Sequence, residues 1–252
     1  MAQIAEIWRH PVKSHGREPL AHIKLSEGKC LPWDRRWAVL HEAADFDTDA
    51  PAWAPCRNFS IGAKAPQLQA ISARCDFASQ KVTFSHPKLK DLTIDPYDQS
   101  DASSFIQWVM PISPNNRPLP ARMVRAPGRG MTDSKYPTIS LINMASHAEV
   151  VERLGQPISH LRWRGNLILD GLTPWEEMGW VGRRLRVGLA ELEIVEPIKR
   201  CMATTASTRT GERDADTLGA LKAGWGHQFM GVYATVVKTG DLNQGDGIEV
   251  LT

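Results

Sequence analysis

Cys201 is the residue best placed to do chemistry in this chain. It directly follows Lys199 and Arg200 and precedes a hydroxyl-rich loop (Thr204, Thr205, Ser207, Thr208) that closes on Gly211. A thiol among cations and backbone donors is biased toward thiolate, the form that attacks electrophiles and ligates soft metals. A cysteine can equally be a small buried hydrophobe, and local spacing leaves both readings open. Three further places combine basic with hydroxyl or amide groups: Lys13-Ser14, Arg35-Arg36 and Arg162-Trp163-Arg164-Gly165-Asn166. Singly, each reads as charge at a strand end. Jointly with the thiol they supply what a phosphate-bearing, metal-bearing cofactor requires.

Composition narrows the classes. The 252 residues are 42% hydrophobic and 23% charged, as in an ordinary globular protein, and 30 basic against 28 acidic residues give a formal charge of +2. With no long basic run, nonspecific nucleic-acid binding is not expected. Cys30, Cys56, Cys75 and Cys201 are far apart, so neither a zinc finger nor an iron–sulfur cluster is legible, and the thiols read as reduced. No window reaches the roughly 18 apolar residues of a membrane span. The expectation is an unexported, cytoplasmic protein.

The elements that position these residues read as mostly β. Short alternating runs at 21–25, 81–85 and 92–95 are bounded by Gly, Pro or Asp, and 36–40 and 68–73 add two more strands. A connector rich in Pro, Asn, Arg and Gly surrounds a short strand at 121–124; loops 111–120 and 125–137 are where substrate contacts are expected. Further strands are expected at 163–169, 184–187, 192–195, 231–237 and 248–251. The strand before Cys201 should stop near Pro197, which lacks a ladder donor, and Gly240-Asp241 should form a turn. Three helices are expected: 101–110, 146–154 opened by a capping box at Ser146, and 216–222 ending at Gly224. This is the pattern of a barrel or sandwich carrying a few helices.

The chain also resembles the MOSC domain proteins, named for the C-terminal domain of molybdenum cofactor sulfurase. The resemblance rests on Pro11-Val12-Lys13-Ser14, Asp34-Arg35-Arg36-Trp37, Arg164-Gly165-Asn166-Leu167 with Asp170-Gly171, and Trp175-Glu176-Glu177 with Trp180-Val181-Gly182. It continues through Arg200-Cys201 with Thr204 and Thr205, Gly231-Val232-Tyr233 and Gly245-Asp246. It implies a small N-terminal β-barrel-like domain (1–118) packed on a MOSC β-barrel domain (119–252), with the site between them.

The resemblance further implies a molybdenum cofactor, Mo-molybdopterin. Cys201 would be the metal ligand and catalytic centre, and Lys13, Ser14, Arg36, Arg164, Asn166, Arg200 and Tyr233 would hold the pterin and its phosphate. Two activities follow from it. One is reduction of a small N-hydroxylated substrate by oxygen-atom transfer, as in the amidoxime-reducing members. The other is a noncatalytic role carrying the cofactor, or persulfide sulfur on Cys201. With no GxGxxG motif after a strand and no cysteine cluster, the first requires a separate electron-transfer protein. The sequence departs from the resemblance in two places: Gly165 stands where proline is common, and His15-Gly16 where cysteine and glycine are common.

Overall fold

The computed structural model describes residues 1–251. These form fifteen strands and three α-helices. In chain order they are β1 (Gln3–Arg9), β2 (Glu18–Leu20), β3 (His22–Leu25), β4 (Ala38–His41), β5 (Ser72–Asp76), β6 (Lys81–His86), β7 (Leu89–Ile94), α1 (Gln99–Val109), β8 (Pro120–Val124), β9 (Ile139–Asn143), α2 (Met144–Leu154), β10 (Leu167–Asp170), β11 (Arg184–Val187), β12 (Ala190–Lys199), α3 (Thr217–Trp225), β13 (Phe229–Lys238), β14 (Gly240–Asn243) and β15 (Ile248–Leu251). An eight-stranded sheet runs β15-β11-β12-β13-β9-β10-β1-β2, and smaller sheets pair β14 with β3, β4 with β8, and β5-β6-β7. The protein is thus mainly β, as its sequence implies.

The two halves exchange strands. β1 pairs with β10 and β3 with β14, so the first segment completes the C-terminal sheet, while β8 pairs back onto β4. Two apolar cores result. Ile4, Ile7, Leu141, Leu167, Leu192 and Val232 fill the large sheet, whereas Val12, Trp37, Leu68, Phe84, Phe105 and Val109 fill the N-terminal lobe. Each of these twelve side chains is essentially out of water, and burial stabilises each by about 1.5 to 3 kcal/mol.

Several elements differ from the sequence expectation for identifiable reasons. β12 runs through Pro197 to Lys199, because its pairing with β11 has already ended at Glu193 and register shifts against β13 flank the proline. Gly240-Asp241 is not a turn but the start of β14, paired with Leu25 and Lys24. A Cβ on Gly240 would lie 2.2 Å from the Leu189 backbone, so only glycine lets the chain pass. Residues 66–70 form a 3₁₀ turn and the strand begins at Ser72. At α2 the cap is Asn143, which accepts from the Ala145 amide at 2.9 Å. Ser146 instead donates to the buried Glu177 carboxylate at 2.9 Å. α3 passes Gly224 and ends at Gly226 in the left-handed region. β9 was not anticipated: all five of its residues are buried, which erases the period-two signal.

Candidate functional site: a cationic cavity at the end of the central sheet

The turn 160–164 sets one wall of the site. His160–Trp163 is a 3₁₀ turn rather than a strand, and Arg164 adopts φ 51°, which swings its side chain away from the strand line before β10 begins. At Gly165 a Cβ would come 2.4 Å from Ile142 Cγ1, so the backbone packs directly on β9. β12 then delivers Arg200 and Cys201 alongside this turn. Arg200 Nη1 donates to the Trp163 carbonyl at 2.7 Å and Nε to the Met230 carbonyl at 2.8 Å, with the guanidinium 5.8 Å from the Trp163 ring centre.

The opposite wall comes from the segment after β1. Lys13 is buried, donates to the Met131 carbonyl at 2.9 Å and pairs with Asp133. Ser14 sits at φ 64°. Arg35 donates to Asp34 Oδ2 at 2.5 Å and to the Arg164 carbonyl at 2.9 Å, tying the walls together. Cys56, half-buried, donates to Asp133 Oδ1 at 3.1 Å.

Between the walls lies a cavity of about 250 Å³ whose lining includes Lys13, Ser14, Arg35, Cys56, Asp133, Ser140, Arg162, Arg164, Arg200, Cys201, Thr204 and Tyr233. A larger open groove of about 820 Å³ lies between α2 and α3, but it holds none of the residues nominated from the sequence. The structure therefore brings Lys13, Ser14, Arg164, Arg200, Cys201 and Tyr233 to one place.

Two nominations need correction. Arg36 does not line the cavity; its guanidinium donates to the Ala126 carbonyl at 2.9 Å. Arg35, at φ 46°, is the member of the Arg-Arg pair that turns inward. Asn166 is buried behind the lining, where its Oδ1 accepts from Ser140 Oγ at 2.8 Å and from Arg35 Nη1 at 3.3 Å. It orients Arg35 rather than facing the cavity. Sequence reasoning missed Cys56, Asp133, Ser140 and Arg162 as lining residues. Arg162 stood inside the motif already singled out, whereas Cys56 and Asp133 lie in irregular segments with no periodic signal.

Electrostatics differ sharply around the cavity. Burial lowers Arg164 to about 9, and the neighbouring Arg35 and Arg17 charges add to the effect; burial likewise lowers Arg200 to about 10. For Arg35, burial opposes the charge but the Asp34 carboxylate overrides it and raises the pKa. Asp133 is open to cavity solvent, with 62% of its side chain exposed, yet it is ringed by protein. There burial favours the neutral acid, and the Lys13 ammonium outweighs that and holds the carboxyl well below its usual range. Burial first and Asp133 second push the Cys56 thiol up to about 11, and burial raises Tyr233. Both therefore keep their protons at neutral pH.

Comparison with known proteins decides the family. The MOSC N-terminal beta barrel domain matches residues 1–111 and the MOSC domain matches residues 131–249. This chain is a MOSC domain protein. The MOSC region and its neighbour account for both cavity walls: Lys13, Arg35 and Cys56 come from the first match, and Asp133, Arg164, Cys201 and Tyr233 from the second. Among curated relatives, Mitochondrial amidoxime-reducing component 1 of Homo sapiens is 23% identical over 250 residues, covering 82% of this chain and 67% of that protein. Molybdenum cofactor sulfurase of Drosophila ananassae is 27% identical over 141 residues, 52% of this chain and 18% of the sulfurase. The chain thus spans less than a fifth of that sulfurase. The YUAD protein from Bacillus subtilis superposes with a TM-score of 0.50 at 13% identity, over 99% of this chain and 94% of that one, which supports the two-domain fold. No helix among the described residues is long and apolar enough to cross a membrane.

Proposed function

We propose that this MOSC protein binds Mo-molybdopterin in the cationic cavity and reduces N-hydroxylated compounds there, with Cys201 as the metal ligand. The observation that carries the reading is the donor set. An exposed thiol opens onto the same cavity as the half-buried Arg164 and Arg200, neither of which has a carboxylate partner, and the buried Arg164 Nη1 and Arg162 Nε atoms have no hydrogen-bond partner. An orphaned buried donor costs about 1 to 3 kcal/mol, which an anionic group would offset. Thiolate for a soft metal and guanidinium for phosphate are what such a cofactor asks of a protein.

When bound, the group supplies two-electron chemistry that converts N–OH, two electrons and two protons into N–H and water. The chain's own residues do the rest. Arg164 and Arg200 hold negative charge, with Ser14 as a hydroxyl donor beside them, while Lys13, paired with Asp133, shapes the facing wall. Arg35, fixed by Asp34 and Asn166, keeps the two walls in register. Tyr233 keeps its proton through neutral pH and so acts as a donor toward a bound oxygen rather than as a base, whereas the Cys56 proton is engaged in a hydrogen bond to Asp133. The electrons come from a separate carrier protein, since no second redox centre is legible in the chain.

The test is turnover. Protein made in a host that synthesises molybdopterin should reduce a hydroxylamine or an amidoxime with an artificial reductant, and Cys201→Ser should not. Stoichiometric molybdenum with no reduction of any N-hydroxylated compound would instead favour the carrier role suggested by the sulfurase relatives.

A further inference from the structure

Resting on that assignment of Cys201, we infer that the N-terminal lobe positions the thiol, and that Gln69, with Arg17 and Arg213, is the device that does so. Cys201 caps a short 3₁₀ turn, Met202–Thr205, in an extended conformation. Within that turn the Thr204 amide and hydroxyl both bond the Cys201 carbonyl at 3.1 Å. Such a turn is too short to hold itself. Within its own domain the turn is held at its far end, where Arg162 Nη1 donates to the Thr205 carbonyl at 3.1 Å and the Thr204 and Thr217 hydroxyls meet at 2.6 Å; the end nearer the thiol is also held from the other lobe.

Gln69 is 1% exposed, and its Nε2 donates to the Ala203 carbonyl at 2.9 Å, two residues after the thiol. Arg213 bridges the same turn to the N-terminal lobe: Nη1 reaches the Met202 carbonyl and Thr205 Oγ1, while Nη2 donates to the Ala63 carbonyl at 2.7 Å. Further along the loop, Arg17 Nη2 donates to the Thr208 carbonyl at 2.9 Å and its Nη1 to the Gln69 carbonyl at 2.7 Å. Packing is equally close. A Cβ on Gly211 would fall 2.5 Å from Gln67 Cα, and one on Gly62 would reach 3.4 Å from Ala203 Cβ.

Gln69 and Arg17 anchor the carbonyls of residues 203 and 208 from outside the domain that carries Cys201, and Arg213, within that domain, ties the carbonyl of residue 202 to the Ala63 carbonyl of the N-terminal lobe. Gln69 donates one hydrogen bond and leaves its Oε1 buried without a partner. An amide kept at that cost is better explained by the carbonyl it holds than by lobe stability, because an apolar side chain of similar shape would serve the lobe core as well. Gln69, Arg17 and Arg213 are thus positioning residues: they touch neither metal nor substrate and act through the backbone next to Cys201.

The test uses Gln69→Met, which keeps volume but removes the donor, against Ile106→Val, a mild core change in the same lobe. In protein without cofactor, hydrogen exchange of amides 203–206 should rise about tenfold in Gln69→Met and stay unchanged in Ile106→Val. In loaded protein, kcat should fall with KM unchanged, and the molybdenum(V) electron paramagnetic resonance signal should shift. Equal exchange at 203–206 in the two variants, or an unshifted signal, would overturn the inference. The exchange arm needs no metal, so it separates this inference from the assignment of Cys201: wild-type protein lacking molybdenum would defeat the latter and leave the former to be judged on exchange alone.

Discussion

The two walls of the cavity carry the same kind of charge but treat it differently. On the N-terminal wall each cation has a carboxylate of its own: Lys13 pairs with Asp133 and Arg35 with Asp34. On the C-terminal wall Arg164 and Arg200 lean on backbone carbonyls alone, and only Arg162 has an acidic partner, Asp214. A neutralised cation stabilises the fold and has little attraction left for a ligand. A cation braced by neutral dipoles keeps its field, and its depressed pKa registers that cost. The first wall builds the site; the second makes it anion-selective.

The comparison can be broken or sharpened by substitution. Arg35→Met would leave the Asp34 carboxylate, which is 0% exposed, without its partner and should cost about 3 to 5 kcal/mol in chemical denaturation. An effect under about 1 kcal/mol would remove the distinction between the walls.

Next in size is an acid effect. Burial lowers His15 and His147 to about 4, and burial likewise keeps His10 well below its usual value. A base with a lowered pKa binds fewer protons folded than unfolded, so stability is full above about pH 6.5 and falls as pH drops toward 4. For the fully buried His15 the loss should be on the order of 3 kcal/mol, and His15→Phe should flatten a denaturation series across that window. The Asp34 and Asp133 contributions persist throughout it, because their carboxyls are held below the usual range.

Arg164→Met should leave thermal stability unchanged or slightly raised, since no carboxylate is orphaned. Its cofactor affinity, measured by titration of released cofactor, should fall about ten- to a hundredfold. Smallest is a ligand effect on the empty site. Inorganic phosphate at about tenfold its dissociation constant should raise Tm by a few degrees at matched ionic strength in wild type, and not in Arg164→Met.

Much of this was legible beforehand. Alternating runs gave the β class, and Lys13-Ser14, Arg164 and Arg200-Cys201 were each marked by basic, hydroxyl or amide groups at strand ends. What escaped had physical causes. Arg35 and Arg36 are indistinguishable as residue types, and only the left-handed backbone at Arg35 decides which points inward. β9 hid because a strand buried on both faces has no alternation. Cys56 and Asp133 meet across 77 residues through irregular chain, a contact that no local pattern encodes. The Ser146 capping box failed because Glu177, distant in sequence, claims the hydroxyl.

The central claim is that two thiols facing one cavity are unequal. Cys201 is exposed beside arginines, while Cys56 is half-buried and held as a neutral thiol by burial first and Asp133 second. Molybdenum should therefore be measured by mass spectrometry in wild type, Cys201→Ser and Cys56→Ser, all produced in a host that makes molybdopterin, with melting followed in parallel. The account predicts stoichiometric metal in wild type and Cys56→Ser, and less than about a tenth of it in Cys201→Ser at near-normal Tm, since serine is a hard and rarely ionised ligand. Full metal content in Cys201→Ser, or none in wild type, would contradict it.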